Sequence, residues 1–204
     1  MEEESLSHEQ SLELITKMIN QGKNYYYESG TVALLWGFSN VICFTLAYLQ
    51  ATVKGFHLPI TPFILLVPTF FLQLYFDRKE SKRRKATTYI EEAMNYVWMT
   101  FGFAVLILTV VGGIANMGYV TLPVLLLLFG MPTFATGLIC KFHSMTIGGI
   151  LCWTFCIIAF LYQGYYAFLL CAAGATVAWI IPGFIMRSTL KKQIREEQNQ
   201  QNGI

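Results

Sequence analysis

Apolar positions in this chain come in long unbroken runs rather than in the alternating patterns of a soluble fold, and short polar turns separate them. Runs of roughly 18 to 25 residues are long enough to cross a hydrocarbon core of about 30 Å at 1.5 Å per helical residue. Six such runs predict transmembrane helices at about 31–53, 59–76, 93–115, 120–140, 145–163 and 166–186. The turns at 54–58, 116–119, 141–144 and 163–165 are tight, so successive helices are expected to be antiparallel neighbours. The long link is 77–92.

Before the first run the pattern changes to helical amphipathicity. Leu12, Ile15, Met18, Ile19 and Gly22 recur on one face, with Glu13, Thr16, Lys17 and Asn20 on the other. Ser7 and Gln10 fit a capping box that would start such a helix. The acidic opening MEEESLSHEQ has no basic region ahead of an apolar core, so it does not read as a cleavable signal peptide. Tyr25, Tyr26 and Tyr27 stand where an aromatic belt would mark entry into the membrane. The expected organisation is all-α: a cytoplasmic amphipathic helix (1–30), a six-helix transmembrane bundle (31–186) and a charged cytoplasmic tail (187–204).

Composition agrees with a membrane class. Hydrophobic residues make up 55% and charged residues 13% of the 204, which leaves too little polar surface for a water-facing globule. The distribution of charge says more than the net +2. Arg78, Lys79, Lys82, Arg83, Arg84 and Lys85 crowd the 77–92 link, which places that link in the cytoplasm and makes these residues candidate lipid-headgroup contacts. With six spans, 13 of the 14 Lys and Arg residues then lie inside and Lys54 alone lies outside. The expected location is a cytoplasmic (inner) membrane with both termini in the cytoplasm. Nucleic-acid binding is not favoured, because basic cytoplasmic edges are ordinary in such proteins.

A sequence echo runs through the spans. LPITPFILLVPTF at 58–70 aligns without a gap with LPVLLLLFGMPTF at 122–134, and Pro182-Gly183-Phe184 repeats part of it. Each proline follows an aromatic of the preceding span, Trp36, Phe101 or Trp153, by 32, 31 or 29 residues. This predicts up to three like-oriented helical hairpins, an internal symmetry known from some transporters. Pro68, Pro132 and Pro182 are candidate helix kinks, since a proline removes one backbone bond and crowds the carbonyl four residues back.

Chemistry-bearing residues are sparse. No Asp, Glu, Lys or Arg falls in the middle of a predicted span, which argues against a proton relay or an ion-coupling carboxylate. Asn40 and Gln73 are the candidate intramembrane polar contacts; they are expected to bond each other across the first hairpin or to line a polar site. Cys43, Cys140, Cys152, Cys156 and Cys171 are odd in number and set in apolar sequence, which suits packing rather than disulfides or a metal site. His8, His57 and His143 are isolated, and no nucleophile–base pair, carboxylate pair or phosphate loop is legible. The expectation is therefore no cofactor, no metal and no enzymatic activity.

Ser11-Leu12-x-Leu14-Ile15-x-x-Met18-Ile19, followed by Leu34-Leu35-Trp36-Gly37, resembles a family of small six-span bacterial inner-membrane proteins of unassigned function. The resemblance covers about 30 residues, implies a bacterial cytoplasmic membrane, and carries over no catalytic or ligand residue. Two function classes fit. One is a non-enzymatic scaffold or regulatory subunit that meets a protein partner at the cytoplasmic face; the other is a small-solute channel or transporter built on the kinked hairpins. The lipid bilayer is the certain partner in either case, and both are compatible with a homo-oligomer.

Overall fold

Strongly apolar helix-forming runs in lipid must satisfy their backbone internally, and the chain does so with helices alone. The computed structural model describes residues 30–81, 89–115 and 117–202, and every regular element among them is helical. They are α1 (Gly30–Thr52), a 3-10 turn (Pro62–Leu65) leading into α2 (Leu66–Ser81), α3 (Tyr89–Ile114), α4 (Gly118–Ile139) and α5 (His143–Leu161). A last rod follows, made of α6 (Tyr166–Ala175), a π segment (Thr176–Ile180) and α7 (Ile181–Asn202). The expected amphipathic helix before residue 30 and the basic residues Lys82, Arg83, Arg84 and Lys85 lie outside the described residues.

Among the described residues, five helices are long and apolar enough to cross a membrane: Gly30–Thr52, Glu92–Ile114, Val120–Ile139, His143–Leu161 and Tyr166–Thr189. The protein is thus an all-helical, multi-pass membrane protein. The second expected span, 59–76, takes a different form. Residues 55–61 are non-helical, Pro62 opens the 3-10 turn, and the α-helix begins only at Leu66 and runs on through Asp77, Arg78 and Lys79. Pro59 and Pro62 explain the delay, because each pushes its preceding residue out of the α region.

Contacts fix the direction of each element. Trp36 meets Gln73 and Cys43 meets Pro62, so α2 runs antiparallel to α1. Gly112 faces Thr121, Gly137 faces Thr146, and Gly148 faces Val177, so α3, α4, α5 and the last rod alternate in the same way. Gly30 and Gly183 close the cycle by bringing α1 against α7.

Close approach is built on glycine. A Cβ on Gly149 would stand 2.7 Å from Phe134 Cβ and 2.9 Å from the Gly130 carbonyl, and one on Gly148 would stand 2.5 Å from the Val177 carbonyl. Without a hydrophobic drive between helices in lipid, such backbone proximity and the dispersion contacts it permits are what hold the pairs. The α4–α5 turn is closed by a Schellman arrangement: the Phe142 N–H donates to the Gly137 carbonyl at 2.8 Å and the Lys141 N–H to Leu138 at 3.2 Å. Lys141 occupies the left-handed position, φ 53°, where glycine is usual.

The centre of the bundle is filled. Phe44, Leu126, Phe129, Ala175, Ala178 and Trp179 are buried together, and Phe63, Trp98 and Phe101 pack onto them. Phe129 and Trp179 rings lie 4.6 Å apart, with Phe101 edge-on to both. The hairpin repeat does not extend to these contacts. Trp36 and Phe101 pack on the second helix of their own hairpins, whereas Trp153 packs on Phe134 of the preceding one.

Candidate functional site

Polar side chains inside an apolar bundle are costly unless bonded, so their grouping is informative. On α1, Trp36, Ser39, Asn40 and Cys43 recur at helical spacing on one face, and that face meets Pro62, Thr69 and Gln73. The indole Nε1 of Trp36 donates to Gln73 Oε1 at 2.7 Å. Thr69 Oγ1 donates to the Leu65 carbonyl at 2.8 Å, which leaves Ser39 as donor in the 2.8 Å contact between the two hydroxyls. One turn further along α1, the Cys43 thiol donates to the Pro62 carbonyl at 3.2 Å. These bonds form a polar seam, and α2 packs against no other helix among the described residues.

Asn40 and Gln73 both belong to this seam but do not bond each other. Trp36 stands between them: Asn40 is 4% exposed and donates Nδ2 to the Trp36 carbonyl at 2.9 Å, while the Trp36 ring serves Gln73. The expected pair is thus replaced by two separate bonds to Trp36, one to its backbone carbonyl and one from its ring. Trp36, Ser39 and Thr69 were not among the expected polar contacts. Their signal in the sequence is the spacing of Trp36, Ser39, Asn40 and Cys43, which puts these four on one side of α1.

The three candidate kink prolines sit in three different settings. Pro68 is the third residue of α2, in the first turn, where a missing N–H removes little. Pro132 lies well inside α4 and is buried. The turn it interrupts draws two side-chain donors: Thr133 Oγ1 to the Phe129 carbonyl at 2.7 Å and Trp153 Nε1 to the Leu127 carbonyl at 3.3 Å. These bonds go to the carbonyls on either side of Leu128, whose own helical donor the proline removes. Pro182 follows the π segment, in which the Ile181 N–H reaches back five residues to Thr176. The widened turn gives the ring room that an α-helical turn would deny it. Trp179, 3% exposed, lies in this segment, and its Nε1 has no partner among the described residues.

The in-span cysteines Cys43, Cys152 and Cys171 each donate to a backbone carbonyl, of Pro62, Gly174 and Leu122. Among the described residues no His, Cys, Asp or Glu cluster could hold a metal ion. A groove of about 460 Å³ lies away from the seam at the α5–α6 turn, lined by Ile158, Tyr162, Gln163, Tyr166, Leu169 and Leu170. Arg78 and Lys79 are exposed on the last turn of α2. No protein-family model, curated protein or solved structure matches the chain.

Proposed function

We propose that the protein is a non-enzymatic scaffold or regulatory subunit of a bacterial inner membrane, which contacts a protein partner at its cytoplasmic face. The observation that carries this reading is where the polar groups go: Trp36 bonds Gln73 and Ser39 bonds Thr69 across the α1–α2 seam, Asn40 bonds back to the Trp36 carbonyl of its own helix, and the bundle centre is packed with aromatic and small side chains. Polar groups used to join helices leave the bundle itself as the product of the fold, a platform that positions its charged edges. A solute pathway would need those groups turned toward a water-filled lumen.

The same reading takes α2 as a sixth crossing. Residues 62–76 amount to about 23 Å at 1.5 Å per residue, short of a core of about 30 Å. The antiparallel register compensates: six residues before Trp36 is Gly30, and six after Gln73 is Lys79, so the charged end of α2 reaches the level where α1 begins. The non-helical 55–61 segment fills the remaining depth on the far side. Six crossings put both termini and the basic 77–92 link on the cytoplasmic side.

Recovery of partners in mild detergent, with the full chain and with a chain lacking residues 1–24, tests the scaffold role. Partners that depend on those residues are expected. The same partners in both samples, or none in either, would sink it.

A further inference from the structure

A second, smaller apolar cluster lies at the end of the bundle where α1 begins, where α4 turns into α5 and where the last rod leaves its apolar stretch. It consists of Phe142, Met145 and Met186, which are 9%, 1% and 1% exposed. A turn between two spans ordinarily lies at the surface. This one holds a buried phenylalanine, and the described residues that bear on it are few. Cys140 packs against the cluster from the turn itself, and Gly30 approaches from α1, where a Cβ would stand 3.1 Å from Met186 Cβ. Phe142 and Met145 each make a further interaction besides the backbone bonds of the turn.

The rest of the cover has to come from chain outside the described residues, and composition decides which part. The 82–88 link reads KRRKATT, in which nothing apolar is larger than alanine, and it leaves from α2, which packs on α1 alone among the described helices. Asn116 belongs to the α3–α4 turn at the opposite end. Gly203 and Ile204 follow Asn202, the end of a helix that runs about 24 Å beyond Met186 at 1.5 Å per residue.

Residues 1–29 fit on three counts. The chain enters α1 at Gly30, which already touches Met186, and Ile19 is eleven residues before it, up to about 36 Å of chain for a cluster one side chain away. Leu12, Ile15, Met18 and Ile19 supply the bulky apolar face, at helical spacing. Charge matches as well. Lys141 and Arg187, the chain neighbours of Phe142 and Met186, are exposed, and Lys191 is exposed one turn further along α7. Residues 1–16 carry Glu2, Glu3, Glu4, Glu9 and Glu13 and no Lys or Arg. An apolar centre with a basic rim complements an acidic amphipathic segment.

We infer that the chain before Gly30 folds back so that Leu12, Ile15, Met18 and Ile19 cap Phe142, Met145 and Met186. The cap joins the start of α1, the α4–α5 turn and the last rod, and it leaves Glu13, Thr16, Lys17 and Asn20 toward water. The inference is independent of the scaffold reading, because it holds whether or not a partner meets that polar face. A photoreactive benzophenone side chain placed at Ile15 or Ile19, and in separate variants at Thr16 or Asn20, tests it in native membranes. Ile15 and Ile19 are expected to give adducts within the chain, to residues 140–145 or 186–187, in several-fold higher yield than Thr16 and Asn20. In the full chain carrying Ile15→Asp and Ile19→Asp, amide hydrogen exchange at 140–146 should quicken several-fold while residues 120–135 stay protected, which separates loss of the cap from unfolding. Equal yields from both faces, adducts to lipid, to a second copy or to a different protein in their place, no adduct, or unchanged exchange at 140–146 would each overturn the inference.

Discussion

Trp36 and Gln73, thirty-seven positions apart, are joined by a 2.7 Å hydrogen bond from indole to amide, and this bond carries α2 into the bundle. Its removal is expected to loosen α2 rather than to unfold the chain. Trp36→Phe and Gln73→Leu should each lower stability by about 1–2 kcal/mol, and the double-mutant cycle should return a coupling of about 0.6–1.7 kcal/mol, the range for side-chain bonds between membrane helices. Equilibrium unfolding in detergent measures both. A coupling near zero would mean that the bond is not formed in the membrane.

The α4–α5 pair offers a sharper contrast. Gly149→Ala places a methyl 2.7 Å from Phe134 Cβ, and the helices must separate to admit it. Overpacking of this kind costs about 1–3 kcal/mol. Gly118→Ala adds the same methyl where nothing among the described residues lies within 4 Å, so it should be neutral or slightly stabilising. Thermal melting of the two variants side by side checks the difference.

How far the sequence leads depends on the range of the interaction that decides each feature. Run length and hydropathy are local, so the helical class and five of the six expected spans are legible. The fate of 59–76 turns on Pro59 and Pro62, whose effect on the preceding residues can be read but whose outcome, a 3-10 turn with α2 starting at Leu66, depends on docking to α1. Asn40 and Gln73 were identifiable as polar groups in apolar surroundings. The indole donor to Gln73 was not, because its partner is chosen by the register of two helices. The π segment likewise requires knowing that Pro182 is buried and that its neighbours Ile180 and Gly183 pack on Gly37 and Leu34 of α1, where the rod cannot simply bend away.

Lys141 illustrates a local cost kept for a turn. A side chain in the left-handed region costs about 1–2 kcal/mol, and glycine avoids it. Lys141→Gly should therefore raise stability, by less than that amount because glycine also gains freedom in the unfolded chain. Lys141→Val should lower it, since a β-branched residue fits that region worst. Midpoints of thermal denaturation in one detergent give the order Gly, Lys, Val.

Whether α2 crosses the membrane is decided by where its two ends lie, and the chain supplies a site at each. Lys54 is exposed just beyond α1, and Arg78 is exposed in the last turn of α2. Cys43, Cys152, Cys156 and Cys171 are buried, so their background labelling by a membrane-impermeant maleimide should be small. If α2 and the 55–61 segment together take the chain through the bilayer, Lys54→Cys in intact cells reacts from outside. Arg78→Cys then reacts only after the membrane is opened. If α2 instead folds back on the side from which it entered, both sites label alike, and the short helix is a peripheral strut on α1. The register favours the first outcome: the bonds from Cys43 to Pro62 and from Trp36 to Gln73 hold α2 alongside α1 over more than two turns, and the next turns of α2 end in Arg78 and Lys79 at the level of Gly30. A helix returning to its side of entry would have to leave α1 before that level, and nothing in the bonding pattern interrupts the pair there.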